Sequence, residues 1–116
     1  MTVIDYIGRV KRGAALLDER VPGWADRINT DTLDISHGMR CVTAQVSGGS
    51  WRNGMYLLGL EWDGYIEHGF HVRFSDHETE QETDCMFDLL RDYWYDEITT
   101  RTDAVSAPLA AEQTAI

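Results

Sequence analysis

Basic residues are scarce in this chain. Ten Lys and Arg stand against twenty Asp and Glu, which gives a formal charge of −10 and a pI near 4.6. Affinity for phosphates comes from Lys and Arg that displace condensed counterions, so direct nucleic-acid binding is not expected, nor is attraction to an anionic membrane surface. Cysteine is scarcer still. Cys41 and Cys85 are the only two and form no Cys-x-x-Cys pair, which suits a reduced cytoplasmic protein better than a disulfide scaffold. Long apolar runs are also missing: the longest, around residues 55–60, is broken by Gly59, and the opening MTVIDYIGRVKRG contains no apolar h-region. Neither export nor a membrane span is therefore expected. The glycine-rich stretch SGGSWRNG has no lysine and no GxxxxGK[ST] pattern, so it reads as a linker and not as a phosphate loop.

What is present is enough for a core. A hydrophobic content of 43% with 10% aromatics over 116 residues fits one globular domain. Val3, Ile7, Val10, Ala14 and Leu17 recur at helical spacing between Thr2 and Arg20, predicting an amphipathic first helix in which Gly13 is a local cost. PGWADRI reads as a second short helix opened by Pro22, with Trp24 and Ile28 inward, and Ser36 as the cap of a third. Residues 40–74 admit two readings. One has short helices in MRCVTAQV, NGMYLLGL and GYIEHGF, the last capped by Asp63; the other is a three-stranded antiparallel meander turning at Asp63-Gly64. Ser75 or Asp76 is the expected cap of a long last helix with Met86, Phe87, Leu90, Tyr93, Trp94 and Ile98 on its apolar side. A globular domain over residues 1–100 and a disordered tail over 101–116 complete the expected organisation.

The segments GAALLDERVPGWADRI, LDIS, RCVTAQV, LLGL and EHGF resemble those of a family of small uncharacterised proteins from actinobacteria and their phages. That resemblance implies helix-loop-helix structure in the middle region, and so a mainly α fold with α+β as the alternative. It brings no activity. Members tend to carry a cysteine at the position of Gly38, so a Cys-x-x-Cys role has no counterpart here.

No catalytic signature is present, and the chain reads as a non-enzymatic protein with no cofactor or metal. His37 and Cys41, four apart, with His68, His71, His77 and Cys85 downstream, lack any zinc-finger spacing. Neither cysteine has the electropositive surroundings that lower a thiol pKa. The strongest pattern is electrostatic. Residues 76–97 hold nine acids and one base, Arg91, with Glu80, Asp84, Asp88, Asp92 and Asp96 at every fourth place. Like charges at i and i+4 oppose the helix by about 0.2–0.5 kcal/mol per pair. Such a row suits either a solvated face or a surface that meets a basic partner. The expected function is capture of a host protein with a basic surface, phage-like, by mimicking nucleic acid and blocking a basic site. Trp51 and Trp62, which border turns, would then be anchors at the edge of that face; an exposed Trp51 would serve a homodimer equally well. The alternative is a small enzyme or a ligand- or metal-binding domain with a pocket near Cys41, His68 and His71.

Overall fold

The computed structural model describes residues 4–115, with Phe74 and residues 103–115 described by backbone alone. The fold is mainly α, and no strand occurs among the described residues. The meander over 40–74 is therefore corrected: three short helices stand there instead. Helix α1, Tyr6–Arg20, begins at Asp5, whose carboxylate accepts the Gly8 N–H at 2.9 Å. Thr2 and Val3, expected within it, lie outside the described residues. Val10, Ala14 and Leu17 are buried as their spacing predicts, whereas Ile7 faces outward. PGWADRI forms a single 3₁₀ turn, Trp24–Arg27, that buries Trp24.

Ser36 caps no helix. Its N–H and hydroxyl both turn back to Asp34 Oδ1, at 3.1 and 2.7 Å, an Asx turn inside a loop that runs on to Cys41. Helix α2 is Val42–Ser47 and helix α3 is Trp51–Leu57, capped by Ser50, which accepts from the Asn53 N–H. Helix α4 is Trp62–Glu67, with Glu61 at its cap position and Asp63 in its first turn. An acid in that turn favours the helix dipole, so Asp63-Gly64 begins a helix where it was also read as a hairpin turn.

The last helix, α5, is Glu80–Ala115. A 3₁₀ turn, Phe74–Asp76, precedes it, so neither Ser75 nor Asp76 is its cap. Thr79 takes that place. Its hydroxyl accepts the Glu82 N–H at 3.1 Å, and the Glu82 carboxylate reaches back to the Glu78 N–H at 3.1 Å, a variant of the Thr-x-x-Glu capping box. The backbone of α5 runs through 101–115, where a tail is expected from composition; residue 116 lies outside the described residues.

Helix α1 packs along α5, and α2 against α3. The core is a train of rings: Trp24 meets Trp94 edge-on at 5.8 Å, Trp94 stacks on Phe70 at 5.1 Å, and Phe70 on Tyr65 at 5.3 Å. The buried indoles have partners, Trp94 donating to the Gly69 carbonyl (2.7 Å) and Trp24 to Asp18 (2.9 Å). Burial of each large apolar side chain stabilises by about 1.5–3 kcal/mol, so this train is the main support of the fold. Two glycines permit the close approach. A Cβ at Gly13 would lie 2.1 Å from the His68 carbonyl oxygen, and one at Gly54 would lie 2.3 Å from the Thr43 Cβ.

Candidate functional site

All five acids of the fourth-place row are exposed. Of these five, only Asp92 has an ion-pair partner among the described residues, Arg91 at 3.9 Å. The row does not make one flat face, because a four-residue step turns about 40° past a full circle and Asp84 and Asp96 diverge by about 120°. Asp84 and Asp88 line a groove of about 530 Å³ between α5 and the loop before α2. Asp96 lies in another hollow, with Ile7, Val10, Lys11 and Tyr93. Its neighbour Glu97 is taken into the fold by Lys11 at 3.3 Å and Arg101 at 2.9 Å.

Across the first groove the loop supplies Asp31 and Asp34, so four carboxylates line it together with Thr32, Leu33, Ser36, Phe87, Arg40 and Arg91. The loop is held there by α5 itself: Arg91 Nε donates to the Leu33 carbonyl at 2.9 Å, and Leu33 is buried. The one base of the acidic segment is thus a strut that fixes the far wall of the groove. Asp31 and Asp34 belong to a stretch that reads only as a turn-rich link, and their approach to Asp84 and Asp88 depends on this tertiary contact.

Beside the groove, sharing Ser36 with it, is a pocket of about 200 Å³ lined by Ile35, Ser36, Gly38, Cys41, Trp51, Trp62, Tyr65 and His71. Trp51 and Trp62 meet at 5.6 Å, and Trp62 also contacts Tyr65 at 5.9 Å and His71 at 5.1 Å. Trp62 is 40% exposed and Trp51 half-buried. Arg52 stacks on the Trp51 ring at 5.3 Å. His71 touches Phe87 at 5.0 Å, linking the pocket to the groove wall.

The polar groups of the pocket are hydroxyls, a thiol and an imidazole. The Tyr65 and Thr43 hydroxyls bond to each other at 2.6 Å, and the Cys41 sulfur lies 3.8 and 3.7 Å from them. Burial pushes the Tyr65 hydroxyl up from its ordinary value. His71 Nδ1–H donates to the Val72 carbonyl at 2.7 Å, and burial holds the imidazole below its ordinary range. Two hydroxyls thus lie beside the thiol, and His71 lines the same pocket. His68 does not line the pocket; its Nδ1 bonds the Gly64 carbonyl at the end of α4. Among the described residues no three His, Cys, Asp or Glu side chains are grouped so as to hold a metal ion, and no helix is long and apolar enough to cross a membrane.

The chain matches no protein-family model, no curated protein and no solved structure. The chemistry of the groove and pocket is accordingly read from their own residues.

Proposed function

We propose that this is a non-enzymatic binding protein that captures a basic segment of a partner protein in the groove between α5 and the loop before α2. The observation that carries the proposal is that Asp84 and Asp88, from one row on α5, share a groove with Asp31 and Asp34 beside an exposed tryptophan. Paired carboxylates on two walls hold Lys and Arg side chains from both sides, and steer them in at a rate that falls with salt. This is narrower than a phosphate-like row along all of α5. Asp92 and Asp96 do not line the groove, Asp96 lying in the hollow beside Lys11, and Glu97 is paired with Lys11 and Arg101. The likeness of its segments to small proteins of actinobacteria and their phages makes a host protein with a basic surface the partner class to test first. A second reading, a site for a small neutral ligand, is favoured by the pocket that Cys41, Trp51, Trp62 and His71 line together.

Titration of the labelled protein with a short lysine-rich peptide, followed by amide NMR at low and physiological salt, tests the proposal. Shift changes are expected at residues 31–36 and 84–91, with binding weakened as salt shortens the reach of the charges. Changes spread evenly along α5 as far as Asp96, or no binding at all, would defeat it.

A further inference from the structure

We infer that the aromatic pocket seats one large uncharged side chain of the partner, so that the segment recognised is a bulky apolar residue flanked by Lys or Arg. This deepens the groove reading and rests on it. The pocket and the groove share Ser36, yet their walls differ in kind. Four carboxylates line the groove against two guanidiniums, Arg40 and Arg91, of which Arg91 is tied to the Leu33 carbonyl, so the groove stays net acidic, whereas no carboxylate lines the pocket. A cation pushed down to buried Tyr65 and Cys41 would lose its hydration with no carboxylate in the wall to replace it. An apolar or aromatic side chain would instead lie against the rings of Trp51 and Trp62, gaining both area burial and ring contact.

The polar floor does not oppose this. Tyr65 and Thr43 share one hydrogen bond at 2.6 Å, and the remaining O–H has the Trp51 carbonyl, 3.5 Å from Thr43 Oγ1, or the Cys41 sulfur, 3.8 Å from the Tyr65 oxygen, so a guest with no hydrogen-bonding group strands neither hydroxyl. Trp62, 40% exposed at the mouth, offers ring surface to the guest, and aromatic anchors of this kind dominate interface energies. Charge selects the rest of the segment. Bases beside the apolar residue fall near Asp84, Asp88, Asp31 and Asp34, while a second copy of this chain, at −10, would bring acid to acid.

The test uses the full chain and three synthetic peptides of equal length. One has a central Phe with flanking lysines spaced by glycine, one has Ala in place of Phe, and one keeps Phe but has Ser in place of every Lys. Calorimetry at about 0.15 M salt should show the Phe–Lys peptide binding at least about tenfold tighter than either control, a preference typical of a buried anchor. In Trp62→Ala the preference for Phe over Ala should collapse. Equal affinity of the Phe–Lys and Ala–Lys peptides for wild type overturns the pocket inference and leaves the groove reading standing. Equal affinity of the Phe–Lys and Phe–Ser peptides overturns both, since the pocket would then take a neutral ligand with no help from the acids. Failure of all three to bind at millimolar concentration also overturns both.

Discussion

At the scale of single residues, the chemistry of the pocket turns on His71. Its ring is packed between Trp62 and Phe87, and this burial favours the neutral imidazole over the opposing effect of the bond that Nδ1–H gives to the Val72 carbonyl. Burial holds its folded pKa below the ordinary value of 6.5. The unfolded chain therefore takes up the proton first as pH falls, and the stability this residue contributes is complete above about pH 6.5 and declines below it toward the folded pKa. Falling pH also relieves the acidic self-repulsion of the chain, so the wild type must be compared with His71→Phe. Urea denaturation at pH 7.5 and at successive points down to pH 5 should show wild type losing stability relative to the variant; parallel curves would refute the assignment. The candidate role of His71 beside Cys41 was legible in sequence as a suspicion only. Its neighbour His68 has the same composition around it, and the sequence does not show that one imidazole enters the pocket while the other closes the end of α4.

At the scale of elements, local signals served well where a helix makes its own case and poorly where a neighbour decides. Of the expected stripe in α5, Phe87, Leu90, Trp94 and Ile98 are buried, while Met86 and Tyr93 are half-buried at its edges. The Asx turn at Asp34 and the cap at Thr79 are not legible in the sequence, because Ser36 and Ser75 offer equally good cap chemistry and only the loop path chooses among them. Gly13 shows the limit most clearly. In an exposed helix, Gly→Ala stabilises by about 0.5–1 kcal/mol, which is why Gly13 reads as a local cost. Here the added methyl would meet the His68 carbonyl at 2.1 Å and the Trp94 ring at 3.0 Å. Backbone cannot move aside as a flexible side chain does, so Gly13→Ala should destabilise by about 1–3 kcal/mol despite its better propensity. A lowered urea midpoint with unchanged slope is the expected result; a raised midpoint would mean that α1 does not approach α4 and α5 so closely.

At the scale of the whole molecule, the question is whether binding answers to the charge of −10 or to where the charges sit. A strongly acidic protein attracts any basic segment through its summed field, and that attraction alone would make the groove irrelevant. The fold offers a clean separation. Asp84 and Asp88 lie in the groove with Asp31 and Asp34, while Asp92 and Asp96 stand further along the same helix outside its lining, Asp96 in the hollow beside Lys11 and Tyr93. All four are exposed, so changing them to Asn removes like-charge neighbours and should hold or slightly raise stability, by a few tenths of a kcal/mol per pair. Asp84→Asn with Asp88→Asn, and Asp92→Asn with Asp96→Asn, each remove two negative charges from one helix. If the summed field decides, the two doubles weaken binding of the lysine-bearing Phe peptide to the same extent. If the groove decides, the first should lose about tenfold or more in affinity and the second less than about threefold, with the salt dependence reduced mainly in the first. Equal losses would return the acidic row to the role of a solvated face, and a larger loss in the second double would move the site to the hollow beside Lys11 and Tyr93.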